Sequence, residues 1–357
     1  MALNWLEEIQ EVSSTGLTVQ AQALSLDQID PNQMLQHPVF FPYADVPSVN
    51  LQQIFETDYR PTADRREWDA PGRFIPTVLP EIEKLQMVPI ESNDKIGEEE
   101  MQAIEEQAMG NDEVYKRLAT VSIPGRVDKL VGANFRRAEL DAIEAWTKGT
   151  ITAKNPTKGG NAQVFSLGFA VGRLQTAGTA WNDGGTNAFN DLMSWIEDGE
   201  AEMGPIIAVK LRRATFNAIQ TDAPNILDYG GNSIKPSPGQ VSARVADMLG
   251  HAFRFIISEE RVDVFDDGGT AYTRTAAWPA QYVAAIPQSG VIGQTARAPV
   301  VRAIELARGA PEAGIDVRGQ TVYYNFKNNG RTAVIECQCN WLSLPQERNV
   351  WTIDAGV

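Results

Sequence analysis

Side chains suited to nucleophilic, acid–base or metal chemistry are scarce in this sequence: two histidines, His37 and His251, and two cysteines, Cys337 and Cys339, in 357 residues. The histidines stand far apart, so a histidine-based triad or metal centre has almost no material to be built from. Cys337-Gln-Cys339 lacks the two-residue gap of a zinc knuckle and has no second half, and it reads as two half-buried thiols of one strand. Side chains two apart on one strand face do not easily meet in a disulfide, so the chain fits a reducing compartment. Carboxylates are abundant, and two of them could act as acid and base, but the sequence selects no pair. Asp263, Asp266 and Asp267 depart from the Asp-x-Asp-x-Asp-Gly calcium loop and read as part of a hairpin turn. Gly230-Gly231 and Gly268-Gly269 lack the context of a phosphate cradle and read as turns too. No Walker loop, Gly-x-Ser-x-Gly or His-Glu-x-x-His is present. No catalytic residue, bound cofactor or metal is expected.

The charge balance narrows the classes further. With 46 acidic and 31 basic residues the net charge is -15, which opposes the counterion exchange that nucleic-acid binding depends on. Trp68, Trp181, Trp195, Trp278, Trp341 and Trp351 could stack on bases, but without basic neighbours they read as core or interface anchors. The apolar runs are far shorter than the ~20 residues that cross a bilayer, and the N-terminus lacks a basic n-region, so neither a membrane span nor Sec export is expected.

The elements that would position these residues differ along the chain. Residues 1–59 hold no lysine or arginine, while Glu7, Glu8, Glu11, Asp27, Asp30, Asp45, Glu56 and Asp58 are acidic. This segment reads as an extended arm with short anchors such as Phe40-Phe-Pro-Tyr43, or as a loose tail. Pro61, Pro71, Pro76, Pro80 and Pro89 then punctuate a stretch of short alternating pieces, Phe74 to Val78 and Ile82 to Val88. A central strand does not hold so many residues without N–H donors, so the stretch reads as a long two-stranded excursion whose edges need partners elsewhere.

Helices are expected over Glu98 to Met109 and Asn111 to Ala119. After Pro124-Gly125 the strongest periodicity begins, with Leu130, Val131, Phe135, Ala138, Ala142, Ala145 and Trp146 at helical spacing and Gly149 at the end. Arg126 to Lys148 predicts a rod of roughly 34 Å, with Arg136, Arg137, Glu139, Asp141 and Glu144 on a charged outer face. Beyond it the reading alternates: strands at 206–210, 253–257, 262–265, 272–275, 283–286, 300–304, 322–326 and 333–341, and helices at 213–221 and 240–249. The composite is α+β with no repeat.

Three stretches carry a family resemblance. Phe135-Arg-Arg-Ala-Glu-Leu-Asp-Ala-Ile-Glu-Ala-Trp-Thr-Lys-Gly-Thr-Ile-Thr152 looks like a spine helix and the strand that leaves it. Thr179-Ala-Trp-Asn182 followed by Phe189 to Glu197 is similar to a Trp-containing loop and its helix, and Trp341-Leu-Ser-Leu-Pro345 before Val350-Trp-Thr-Ile353 looks like a C-terminal strand pair. In this order they resemble the tailed-phage major capsid proteins of the Hong Kong 97 fold, within them the phage lambda major capsid protein E family. The resemblance runs through nearly the whole chain, except that the arm is unusually acidic and the stretch around Gly230 to Pro238 has no clear counterpart.

The resemblance implies an N-terminal arm over 1–50, an extended loop over 51–96, a peripheral domain over 97–204 plus 330–357, and an axial domain over 205–329. It implies a homo-oligomeric shell of pentamers and hexamers, assembled in the host cytoplasm with a separate scaffolding protein and a portal protein. A decoration protein would sit on the outer surface, and packaged double-stranded DNA would be enclosed without specific binding. An encapsulin-like compartment around a cargo enzyme and a carboxylate-dependent hydrolase are the alternatives. For subunit contacts the sequence offers Arg60, Arg65, Arg66, Trp68 and Arg73 against Glu7, Glu8, Glu11, Asp27 and Asp30; alternatively the arginines pair with Glu67 and Asp69 nearby.

Overall fold

The computed structural model describes residues 37–47, 50–55, 81–97, 99, 112–153, 163–169, 172–183, 187–221, 227–229, 232–265, 272–300, 315–317, 320–327 and 332–357. The described residues begin with a single helical turn, α1 (His37–Phe40), and strand β1 (Tyr43–Asp45), followed by β2 (Asn50–Phe55), β3 (Glu81–Gln86) and β4 (Ile90–Ile96). The long helix α2 (Asp112–Lys148) leads into β5 (Thr150–Ala153), β6 (Gln163–Ser166) and β7 (Leu174–Thr176). Then come α3 (Ala188–Met203), β8 (Ile206–Arg212), α4 (Arg213–Thr221), the hairpin β9 (Leu227–Tyr229) and β10 (Asn232–Ile234), and α5 (Pro238–Leu249). Among the described residues the remainder is strand, apart from one 3-10 turn at Glu347–Asn349: β11 (Arg254–Ser258), β12 (Arg261–Phe265), β13 (Tyr272–Ala276), β14 (Tyr282–Pro287), β15 (Gly293–Ala298), β16 (Ile315–Val317), β17 (Gln320–Lys327), β18 (Thr332–Pro345) and β19 (Thr352–Asp354).

Two sheets organise the body. The first has the order β11-β8-β14-β19-β7, with β11 parallel to β8, β7 parallel to β19, and β14 antiparallel to both neighbours. Its inner strand β8, Ile206-Ile-Ala-Val-Lys-Leu-Arg212, is mostly apolar because helices cover both faces. Val209 and Leu211 pack on one side with Phe189, Leu192, Trp195 and Ile196 of α3, Phe216 and Ile219 of α4, and Val241 and Val245 of α5. Ala208 points to the other side, into a cluster with Ala142, Ile143 and Trp146 of α2 and with Phe40 and Phe41. The second sheet is built around the fourteen-residue β18, whose first half lies between β17 and β4 and whose second half pairs with β15. Ile335, Cys337, Cys339, Trp341 and Ser343 are all buried, the period-two signature of one face turned to the core. Phe135 and Ala138 of α2 pack there against Cys339 and Trp341.

Local chemistry fixes the helix ends. Ser237 caps α5 in a capping box with Gln240, Pro238 stands at the start, and Gly250 closes the helix in the left-handed region with φ 75°. Gly149, with φ 65°, ends α2 where a Cβ would lie 2.9 Å from the ring of Phe169.

Several expectations need correction. The helix expected at 111–119 and the rod from Arg126 are one element: α2 runs through Pro124 and Gly125 for 37 residues, about 56 Å rather than 34 Å. A proline removes a single backbone bond, and the turns on both sides keep theirs. Glu139 is not on an outer face; it is 2 % exposed, on the buried strip beside Ala138. Trp341 to Pro345 and Val350 to Ile353 do not pair with each other, because β18 joins β15, β17 and β4, whereas β19 joins β14 and β7. The cysteine side chains are fully buried rather than half-buried. Val300 lies beyond the end of β15, whose sequence Gly-Gln-Thr-Ala-Arg-Ala carried too few strand formers to be read as a strand. Residues 301–304, the Phe74 to Val78 piece and most of the helix at 98–109 lie outside the described residues.

Candidate functional site

The ribbon β2–β3 is a sheet separate from the two that organise the body. Six residues on each side pair antiparallel from Asn50 with Gln86 to Phe55 with Glu81, and the two strands form a sheet of their own. A two-stranded ribbon is marginal by itself in water, and among the described residues no third strand pairs with either of its edges. Its root is firmly held. After Met87, which is buried against Ala296 and Ala298, the chain enters β4, which pairs with β18 over seven residues. Arg126 of α2 binds Asp94 at 2.8 Å, and Ser92 donates to the carbonyl of Leu130 at 3.2 Å.

The second unusual region lies under residues 37–46. Phe40 and Phe41 bury their rings against Trp146, at centroid distances of 5.4 and 6.3 Å, so the Phe40-Phe-Pro-Tyr43 anchor acts as the sequence indicates. Tyr43 stacks on Trp341 at 5.5 Å, and Arg297 lies over the Tyr43 ring while binding Asp45 at 2.8 Å. Burial raises the Tyr43 phenol above its ordinary range. Burial likewise holds the Asp141 carboxyl up at about 6, although Arg137 stands 2.7 Å away and opposes the shift.

The thiols form no reactive site. Cys337 donates to Gln320 Oε1 at 3.1 Å, in a buried cluster where Asn134 also donates to Gln320 Oε1 at 2.9 Å, and burial pushes its pKa up to about 12. Cys339, in the apolar contact with Trp341, is raised as well, first by burial and then by the Cys337 charge. Both are free. Among the described residues no three of His, Cys, Asp and Glu gather as a metal set, and no helix is long and apolar enough to cross a membrane.

Asp263 is not in a turn but in the middle of β12, opposite Arg274 of β13 with 3.9 Å between the charged groups, while Asp266 and Asp267 lie outside the described residues. Trp181, Trp195, Trp278, Trp341 and Trp351 are buried in the core. His251 binds Glu200 at 2.6 Å, a contact between α5's end and α3 that the sequence does not announce. The expected contact residues Glu7, Glu8, Glu11, Asp27, Asp30, Arg60, Arg65, Arg66, Trp68 and Arg73 lie outside the described residues.

A long helix packed on two sheets, with a two-stranded ribbon as a separate sheet, is the arrangement of the Hong Kong 97 type of capsid fold, and the chain has that fold. A prophage protein of Escherichia coli CFT073 assigned a capsid role superposes with a TM-score of 0.55 at 12 % identity, over 94 % of this chain and 98 % of that one. The capsid of an empty GTA particle superposes with a TM-score of 0.50 at 11 % identity, over 90 % of each chain. No protein-family model and no curated protein matches the sequence.

Proposed function

We propose that this chain is the major capsid protein of a tailed double-stranded DNA phage, assembling as pentamers and hexamers into an icosahedral head that encloses the genome. The observation that carries the reading is the ribbon β2–β3, paired among the described residues only with itself and continuing into a well-packed body of capsid fold. A closed lattice supplies every copy of such a ribbon with a partner. The lambda-like kinship rests on the order of arm, ribbon, spine helix and α+β body along the chain. On this reading residues 1–50 are the arm, 51–96 the extended loop, 97–204 with 330–357 the peripheral domain and 205–329 the axial domain.

The role is structural rather than catalytic. A net charge of -15 suits a container wall that does not hold its DNA. Assembly in the host cytoplasm engages a separate scaffolding protein and a portal, and the finished outer surface accepts a decoration protein. Arm acids of one subunit, such as Glu7 and Asp27, face ribbon arginines of another, where a guanidinium can grip a carboxylate at two points.

Electron microscopy of the protein expressed with its scaffold tests the reading. Shells or tubes of regular pentamers and hexamers support it, and a compact monomer across salt and protein concentration overturns it.

A further inference from the structure

The strip of α2 that faces the second sheet is apolar at Leu130, Val131 and Ala138, yet Asn134 stands in its middle. Asn134 is 1 % exposed, and its partners Gln320 of β17 and Cys337 of β18 are fully buried. Asn134 Nδ2 donates to Gln320 Oε1 at 2.9 Å and to the carbonyl of Cys337 at 3.2 Å, while Gln320 Nε2 donates back to the carbonyl of Val131 at 3.3 Å. Cys337 Sγ adds a bond to Gln320 Oε1 at 3.1 Å. One helix and two strands are thus joined by a closed set of side-chain bonds.

Such a pair adds little to stability, because both amides are hydrogen-bonded to water in the unfolded chain and two apolar side chains of similar shape often serve as well. What it supplies is position. Apolar contacts survive a small shift, whereas a buried amide moved away from its partner loses the bond and stays out of reach of water. The other contacts along this part of the helix are less exacting. Ser92 donates to the carbonyl of Leu130, a group that every residue of the helix carries, and Arg126 and Asp94 form a partly exposed pair of flexible side chains. Phe135 meets Trp341 at 5.0 Å through ring surfaces alone. A shift of α2 by one turn, about 5.4 Å, would bring Leu130 or Ala138 opposite Gln320 and leave that amide without the Asn134 bond.

We propose that Asn134 and Gln320 form a catch that holds the shaft of α2 at one position on the sheet of β4, β18 and β17, and that position rather than added stability is what the pair provides. The bonds lie within one chain, so the inference stands apart from the capsid proposal.

Paired spin labels on the full-length protein test it. Lys129 on α2 and Gln294 on β15 of the same sheet are both exposed, and each is replaced by cysteine for labelling; Cys337 and Cys339 are fully buried. Dilution with unlabelled protein confines the measured distances to one chain. One narrow distance is expected in the otherwise wild-type protein. Asn134→Leu together with Gln320→Met removes both amides at once, and is expected to keep or exceed the wild-type denaturation midpoint while the distance distribution at least about doubles in width or gains a second maximum. An unchanged narrow distance in the double variant overturns the proposal. So does a broadening accompanied by a lower midpoint, which marks general loosening. Should the double variant not fold, Gln320→Met alone is read by the same two measurements, and the same outcomes decide.

Discussion

The indole N–H of Trp351 donates to the main-chain carbonyl of Trp195 at 2.9 Å, tying the C-terminal segment to a helix 156 residues earlier. One turn on, Gly199 makes room for it: a Cβ there would stand 2.7 Å from the Trp351 indole and 2.8 Å from Ile206. Gly199→Ala gains helix propensity of about 1 kcal/mol but must push a buried ring, at about 1–3 kcal/mol. The expected net is a lower denaturation midpoint; a midpoint above wild type refutes this packing.

Trp146 is 2 % exposed and meets Phe40, Phe41 and Trp278. Trp146→Ala is expected to lose about 3–5 kcal/mol and much soluble yield. Chemical denaturation measures it, and a wild-type midpoint means the helix faces another way.

The two cysteines separate by environment. Cys337→Ser keeps a hydroxyl within reach of Gln320 and Asn134 and is expected to be mild, whereas Cys339→Ser places one beside Trp341 at a cost of about 1–3 kcal/mol. Equal midpoints for the two variants contradict the assignment.

His251 carries a raised pKa, chiefly from the carbonyl of Ala252 and also from Glu200. A base whose pKa is higher when folded adds stability that is complete below its unfolded value near 6.5 and is lost as pH rises through the folded value. The melting temperature is expected to fall slightly across that window, and His251→Gln to flatten the decline. An unaltered slope in the variant removes His251 as the source.

Exchanging Arg65 and Arg66 for glutamate should leave a folded subunit that fails to close shells. Each exposed pair is worth only ~0.2–1 kcal/mol, yet the pair recurs in every subunit. Moderate salt should likewise weaken shells before it weakens the subunit fold, since surface pairs are screened. Normal particles from the double variant leave the arginines to Glu67 and Asp69.

Legibility in the sequence followed burial. The strand at Ile206, the helix from Arg213 to Thr221 and the Cys337 face of β18 were readable because each has one pattern and one environment. Glu139 misled, since a charged residue on a helix reads as exposed until what packs over it is known, whereas Lys210 drew no comment inside a strand read as buried. Strand β15 owes its form to β18 and β1 rather than to its own residues. Pro124-Gly125 looked like a stop because local preference is visible and the neighbouring turns' cooperation is not.

Helix α2 touches both sheets, through Trp146 on one side and through Phe135 and Ala138 on the other. That makes it a lever with its fulcrum near Trp146. From there to Asp112 is about 50 Å, so each degree of tilt sweeps the far end by roughly 1 Å. Any tilt about Trp146 would be magnified along the shaft in this proportion, and the β18 sheet, packed on Phe135 and Ala138, would have to follow or give up those contacts.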